Sequence, residues 1–200
     1  KLEVAGKPPY ASAGIAIVKT HYPFSRAYQL SGELADEAKD RVLAFRPEKD
    51  ASSLDWHYTT TGLTGNLEQI REREYRLQDG SLLLMRPLLL EKTDWRNWST
   101  FLRAVSTFRF RWVNQQNKVM ALREALRKGP VAVRQFETLY RGSEGVPVVT
   151  DEGSSDESYG WATHDGVRRS TLYGAVEMSD MFFHLPAGEA AEQPTTEVPG

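Results

Sequence analysis

The sequence predicts an α+β fold. An antiparallel sheet of about five to seven strands packs on one long amphipathic helix, with a shorter helix ahead of it. Three observations predict it. The pairs Asp79-Gly80 and Asp165-Gly166 supply the positive φ that a tight hairpin turn requires. Apolar residues recur at helical spacing from 94 to 128. Between these features lie short runs rich in β-branched and aromatic residues, the composition of strands.

The elements follow in chain order. Residues 1–12, KLEVAGKPPYAS, lack any periodicity and read as an extended arm. Residues 14–20, GIAIVKT, read as a strand. At 31–45 Ser31 can cap a helix, and Glu33, Asp36 and Glu37 suit its positive end. Leu34, Ala38, Val42 and Phe45 form one stripe of that helix, and Pro47 stops it. Residues 54–61, LDWHYTTT, read as a strand. Residues 71–77 and 82–90 read as the arms of the first Asp-Gly hairpin, with Pro87 marking a bulge or a sheet edge. A further strand is expected at 131–140, then a polar, acidic loop at 142–160. The second Asp-Gly pair joins arms at 161–164 and 167–178. Residues 186–200 hold three Pro, three Glu and no aromatic residue, and read as a flexible tail. The organisation is an arm (1–12), a single domain (13–185) and a tail (186–200).

The helix at 94–128 carries most of the fold prediction. At about 100° per residue, Trp95, Trp98, Phe101, Val105, Phe108 and Trp112 fall in one sector roughly 140° wide. Thr93 or Asp94 caps its start, Arg127 and Lys128 suit its negative end, and Gly129-Pro130 is a stop signal. A continuous helix here would span about 50 Å. Its weakest point is NQQN at 114–117. Inside it, TFRFRWVN alternates rings and cations like a strand, but that period covers only 108–112. Phe110 is left over, a large ring on the polar side.

That polar side is one-signed. No acid occurs between Trp95 and Arg123, and Arg96, Arg103, Arg111 and Lys118 share the side opposite the apolar stripe. Surface helices ordinarily mix signs to gain i,i+4 pairs, so these cations either form a solvated face, pair with the acidic loop at Asp151-Glu152 and Asp156-Glu157, or meet phosphates or acids of another chain. Phe110 and these four basic residues are therefore the candidate partner-binding residues.

Composition narrows the function classes. A hydrophobic fraction of 40% and an aromatic fraction of 10% are enough for a real core. The net charge of −2 gives no global attraction to nucleic acid. With no cysteine there is no disulfide, thiolate zinc site or cysteine nucleophile. The longest apolar run, LLLMRPLLL, is far short of the roughly 20 residues that span a bilayer, so a soluble chain is expected. The first residue is Lys1, which leaves open a preceding targeting segment and the compartment. No phosphate-binding loop, nucleophile elbow or zinc-helix motif is present. The four histidines, His21, His57, His164 and His184, are not at ligand spacing. No metal or other cofactor is expected. The match to a glycosylation acceptor at Asn97 falls in the helix start and reads as chance.

Three functions fit these constraints. The first is a non-enzymatic structural or assembly subunit, such as a virion or tail component or an accessory subunit. Its partners would be other protein subunits, met through the long helix and the terminal arms. The second is a nucleic-acid-associated protein using the basic helix face. The third is a small-ligand binder or enzyme with a pocket between sheet and helix, worked by residues such as His57, Tyr58 or His164.

Overall fold

The structure, a computed structural model, describes residues 10–45, 50–59, 65–91, 95–140, 146, 160–164 and 166–179. The predicted tail at 186–200 and most of the arm and acidic loop lie outside the described residues.

The N-terminal part is a β-α-β unit. Strand β1 (Ser12–Ile17) is followed by helix α1 (Phe24–Phe45) and strand β2 (Ser53–Tyr58). The two strands run parallel, pairing Ser12 with Ser53 through Ile17 with Tyr58. Parallel neighbours need a crossover, and α1 provides it. Leu30, Leu34, Ala38 and Val42, spaced by four, are the buried face of α1. The helix lies so close on β1 that only glycine fits at position 14. A Cβ there would stand 2.3 Å from the Ser31 carbonyl oxygen and 2.4 Å from the Ala35 nitrogen. Ser53 Oγ donates to the Ala38 carbonyl at 2.7 Å and fastens β2 to the same helix.

Helix α2 (Leu67–Tyr75) starts at a reciprocal capping box between Asn66 and Gln69. The Leu67 amide also donates to Glu33 Oε2 at 2.7 Å, which sets an α1 carboxylate at the positive end of α2. Strand β3 (Leu88–Leu89) pairs antiparallel with β2. Then come α3 (Trp98–Ser106), a π-helical turn (Thr107–Arg111), α4 (Gln116–Lys128) and α5 (Pro130–Leu139). A hairpin of β4 (Trp161–His164) and β5 (Val167–Ser170), and the short α6 (Tyr173–Met178), complete the described chain. Trp56, Phe101, Phe108, Trp112, Leu122 and Phe136 lie in one continuous core that joins β2 to the C-terminal helices.

This architecture corrects the predicted one. The class is α+β, but six helices make up more than half of the described residues, and the sheets have only three and two strands. Among the described residues the predicted antiparallel sheet of five to seven strands does not form. Residues 71–75 continue α2, because the capping box starts a helix whose Leu67, Ile70 and Tyr75 are buried. The Asp79-Gly80 turn does form: Gly80 has φ 82°, and Arg76 bridges Leu82. Its second arm stays irregular except at β3. The Leu83 amide donates to the Tyr75 carbonyl and the Leu82 amide to Arg168, while the Arg86–Pro87 peptide is cis.

The predicted strand at 131–140 is α5. Pro130 occupies its first turn, where a missing N–H costs nothing, and Val133 and Phe136 bury one face. Gly129, with φ 95°, ends α4 and begins α5. The long helix at 94–128 is not continuous. The Trp112 amide reaches five residues back to the Thr107 carbonyl at 3.1 Å, and Asn114 adopts φ 59°. The break falls at the NQQN stretch. Asparagine tolerates the left-handed region better than most residues, so the turn is tolerated where it occurs.

Candidate functional site

A network of charged side chains lies buried between β2, α2, α6 and the irregular segment before β3. Alternation along β2 points Ser53, Asp55 and His57 to one face, against α1 and α2, and Leu54 and Trp56 to the other. Asp55 is fully buried. Its Oδ2 accepts from Arg71 Nη2 at 2.6 Å, its Oδ1 accepts from the Trp56 amide at 2.8 Å, and Arg86 Nε lies 3.7 Å from Oδ1. Arg71 and Tyr75, one turn apart on α2, both face this cluster. Arg86 Nη2 donates to Tyr75 Oη at 3.1 Å, and Arg86 Nη1 lies 3.6 Å from Glu177 of α6. The Arg86 guanidinium also stacks over the rings of Trp56 and Tyr75.

The environment sets the charge states. Burial alone would lower the Arg86 pKa, but Tyr75, Glu177 and Asp55 outweigh it and hold the guanidinium charged. Burial pushes the Tyr75 phenol up to about 12, so it stays protonated. His57 is driven down to about 3, first by burial and then by Arg86 and Arg71. Its Nε2 lies 3.9 Å from Glu74, yet at neutral pH the imidazole is uncharged and this contact is not an ion pair. Among the described residues neither His57 ring nitrogen has a hydrogen-bond partner. The network fastens four elements together with charges, which is a structural role. Among the described residues no cluster of three or more His, Asp or Glu could hold a metal ion.

Above the network opens a cleft of about 380 Å³ between α1, α2, the 82–87 segment and β5. Six arginines line it: Arg41, Arg71, Arg76, Arg86, Arg96 and Arg169. Arg96 donates to the Met85 and Pro87 carbonyls, and Arg169 to that of Leu84. These bonds satisfy main-chain oxygens that the irregular segment leaves outside any sheet ladder.

The sequence-predicted partner residues do not gather on one face. Arg96 precedes α3 and is buried on the cleft side. Lys118, in α4, is also buried, with Nζ 4.0 Å from the Trp112 ring centroid. Arg103 and Arg111 are exposed, and Phe110 is 62% exposed on the π-helical turn. Phe108 and Trp112 lie in the core with ring centroids 5.3 Å apart, and Phe110 on the same turn points outward, as the apolar stripe predicts. Of the polar residues considered for a pocket, His57 is buried in the network and Tyr58 is half-buried at the end of β2. His164 ends β4, in a different sheet. Asn97 is buried and caps α3 through the Thr100 amide, so its side chain is already engaged.

The opposite end of the β-α-β unit presents a feature that local sequence patterns do not reveal. Strand β1 is the outer strand of its sheet, and nothing among the described residues pairs with its free edge. Ala11 and Ile17 turn their carbonyls to β2, accepting from the Ser53 and Thr59 amides. By alternation, Ser12, Gly14 and Ala16 turn their main-chain groups to the open side. The strand, SAGIAI, has no charge, proline or bulge, and Ile15 is 47% exposed. Beside it runs a second groove of about 370 Å³, lined by Tyr10, Ala11, Ala35, Val42, Leu43 and Ala51, with Asp36 and Lys39 among its walls.

No family model matches the chain, and no curated protein matches it.

Proposed function

We propose that this chain is a non-enzymatic subunit of a larger macromolecular assembly, and that a neighbouring polypeptide adds a strand to the free edge of β1. The observation that carries this reading is the unprotected edge itself. Proteins that leave a strand at a sheet edge blunt it with charge, proline or a bulge, because a bare apolar edge templates pairing with other chains. Strand β1 has none of these. A parallel pair is also ordinarily covered on both faces, whereas Ala13 and Ile15 stay exposed here. The adjoining groove gives alternate side chains of an added strand apolar walls, with one charge of each sign to set its register.

Size-exclusion chromatography with light scattering tests the reading without knowledge of the partner. An edge of this kind self-pairs when its partner is missing, so the isolated chain is expected to form concentration-dependent oligomers. Ile15→Lys, at an exposed position, should restore a monomer with an unchanged melting temperature. A concentration-independent monomer of the unsubstituted chain contradicts the reading.

A further inference from the structure

We propose that the arginine-lined cleft between α1, α2 and the 82–87 segment binds a small phosphate-bearing anion. The charge in this cleft is sorted by depth. Arg41, Arg86 and Arg96 are buried and Arg71 and Arg169 are half-buried, leaving Arg76 as the exposed arginine of the six. The four acids of the lining, Glu37, Asp40, Glu68 and Glu72, are all exposed. Exposed carboxylates are weakened by the high dielectric of water and screened over about 10 Å at 0.1 M salt, whereas guanidinium groups set in the protein are screened less. The depth of the cleft is therefore the more positive and the rim the more negative, with Glu37 of the rim 3.7 Å from Arg71 and Glu72 paired with Arg76. The acids under the floor, Asp55 and Glu177, are already shared with Arg71 and Arg86.

Guanidinium is the group that suits phosphate. It is planar, permanently charged and presents paired N–H donors. Among the described residues the buried Nε–H groups of Arg71 and Arg86 have no hydrogen-bond acceptor, Arg86 Nε lying 3.7 Å from Asp55 Oδ1. The volume, about 380 Å³, lies in the range of small-molecule sites. The rim sets the class of ligand. A compact anion passes the exposed acids to reach the floor, whereas a nucleic-acid strand laid across the mouth keeps several phosphates against them. The site is distant in kind from the β1 edge, and neither proposal depends on the other.

Isothermal titration of the chain with sodium phosphate, against sodium chloride at equal ionic strength, tests this. Saturable binding of one phosphate per chain is expected. Asp40→Asn combined with Glu68→Gln removes two exposed acids and should tighten binding about threefold. Arg169→Gln should weaken it about tenfold or more. Arg169 also holds the Leu84 carbonyl, so the rim variant keeps the test independent of folding. Phosphate heats no different from chloride, or an affinity that neither substitution moves, overturns the proposal. Tighter binding of single-stranded oligo-dT than of phosphate also overturns it, and makes the cleft a nucleic-acid surface instead.

Discussion

Asp55 and Arg71 meet at 2.6 Å, carboxylate to guanidinium, with Asp55 wholly shielded from water. The pair joins the centre of β2 to the middle of α2. Its environment decides its weight. Removing one partner of a buried pair leaves the other charge uncompensated, at a cost of about 3–5 kcal/mol. Asp55→Ala is therefore predicted to lower the urea unfolding free energy by about that amount. The exposed pair of Arg76 with Glu72 is the internal control: Glu72→Ala should change stability by about 0.5 kcal/mol or less. Equal effects from the two substitutions would show that the Asp55 network is solvated.

Gly14→Ala should be among the costliest single-methyl changes in the molecule. The added carbon would meet main-chain atoms of α1, which cannot rotate away as a side chain can. Overpacking of this kind costs about 1–3 kcal/mol, and a clash with backbone belongs at the upper end. Gly80→Ala and Gly166→Ala meet nothing within 4 Å, so any cost there comes only from positive φ. Thermal melts of the three variants should rank Gly14→Ala lowest.

His57 makes stability depend on pH, with a definite sign. Its folded value of about 3 is below the ordinary 6.5. Between those values the unfolded chain binds a proton that the folded chain refuses, so stability falls as pH falls. From pH 6.5 to 5 the loss is about 1.6 kcal/mol. Glu74, raised by burial, acts in the opposite sense and loses stability as pH rises through its own raised value. His57→Leu should flatten the acid side of the stability profile measured by urea unfolding. An unchanged slope would place the imidazole in contact with water.

The break after α3 rests on Asn114 at φ 59°. Asn114→Gly should be neutral or stabilising, whereas Asn114→Val should cost about 1–2 kcal/mol. If the valine variant is as stable as its parent, α3 and α4 can merge into one helix.

The parts that were legible in the sequence are those set by local chemistry. The spacing of Leu34, Ala38 and Val42 marked α1, although the helix begins at Phe24, ahead of Ser31. β-branched and aromatic composition marked β1 and β2, and the turns at Gly80 and Gly166 formed at positive φ. Distant neighbours decided the rest. Arg71–Tyr75 looks like a strand until Asn66 and Gln69 are read together as a capping box. Val131 and Val133 favour a strand in isolation, but Pro130 starts a helix and the core takes Val133 and Phe136. The parallel pairing of β1 and β2 has no local signature at all. Nor has the arginine cleft, whose residues run from Arg41 to Arg169 and meet only through the fold. The cations at Arg96 and Lys118 looked like an outward face because a continuous helix was assumed. Arg96 instead lies ahead of α3 and bonds the Met85 and Pro87 carbonyls, and Lys118 lies beyond the π-helical turn against the Trp112 ring, so both go inward.

Hydrogen–deuterium exchange at the Ser12, Gly14 and Ala16 amides, with the chain dilute and monomeric and again in its native assembly, tests the subunit reading most directly. Fast exchange in the monomer and strong protection in the assembly is the predicted result, with the β2-facing amides of Ala13 and Ile15 slow in both. Equal, rapid exchange of the three edge amides in both states would contradict it.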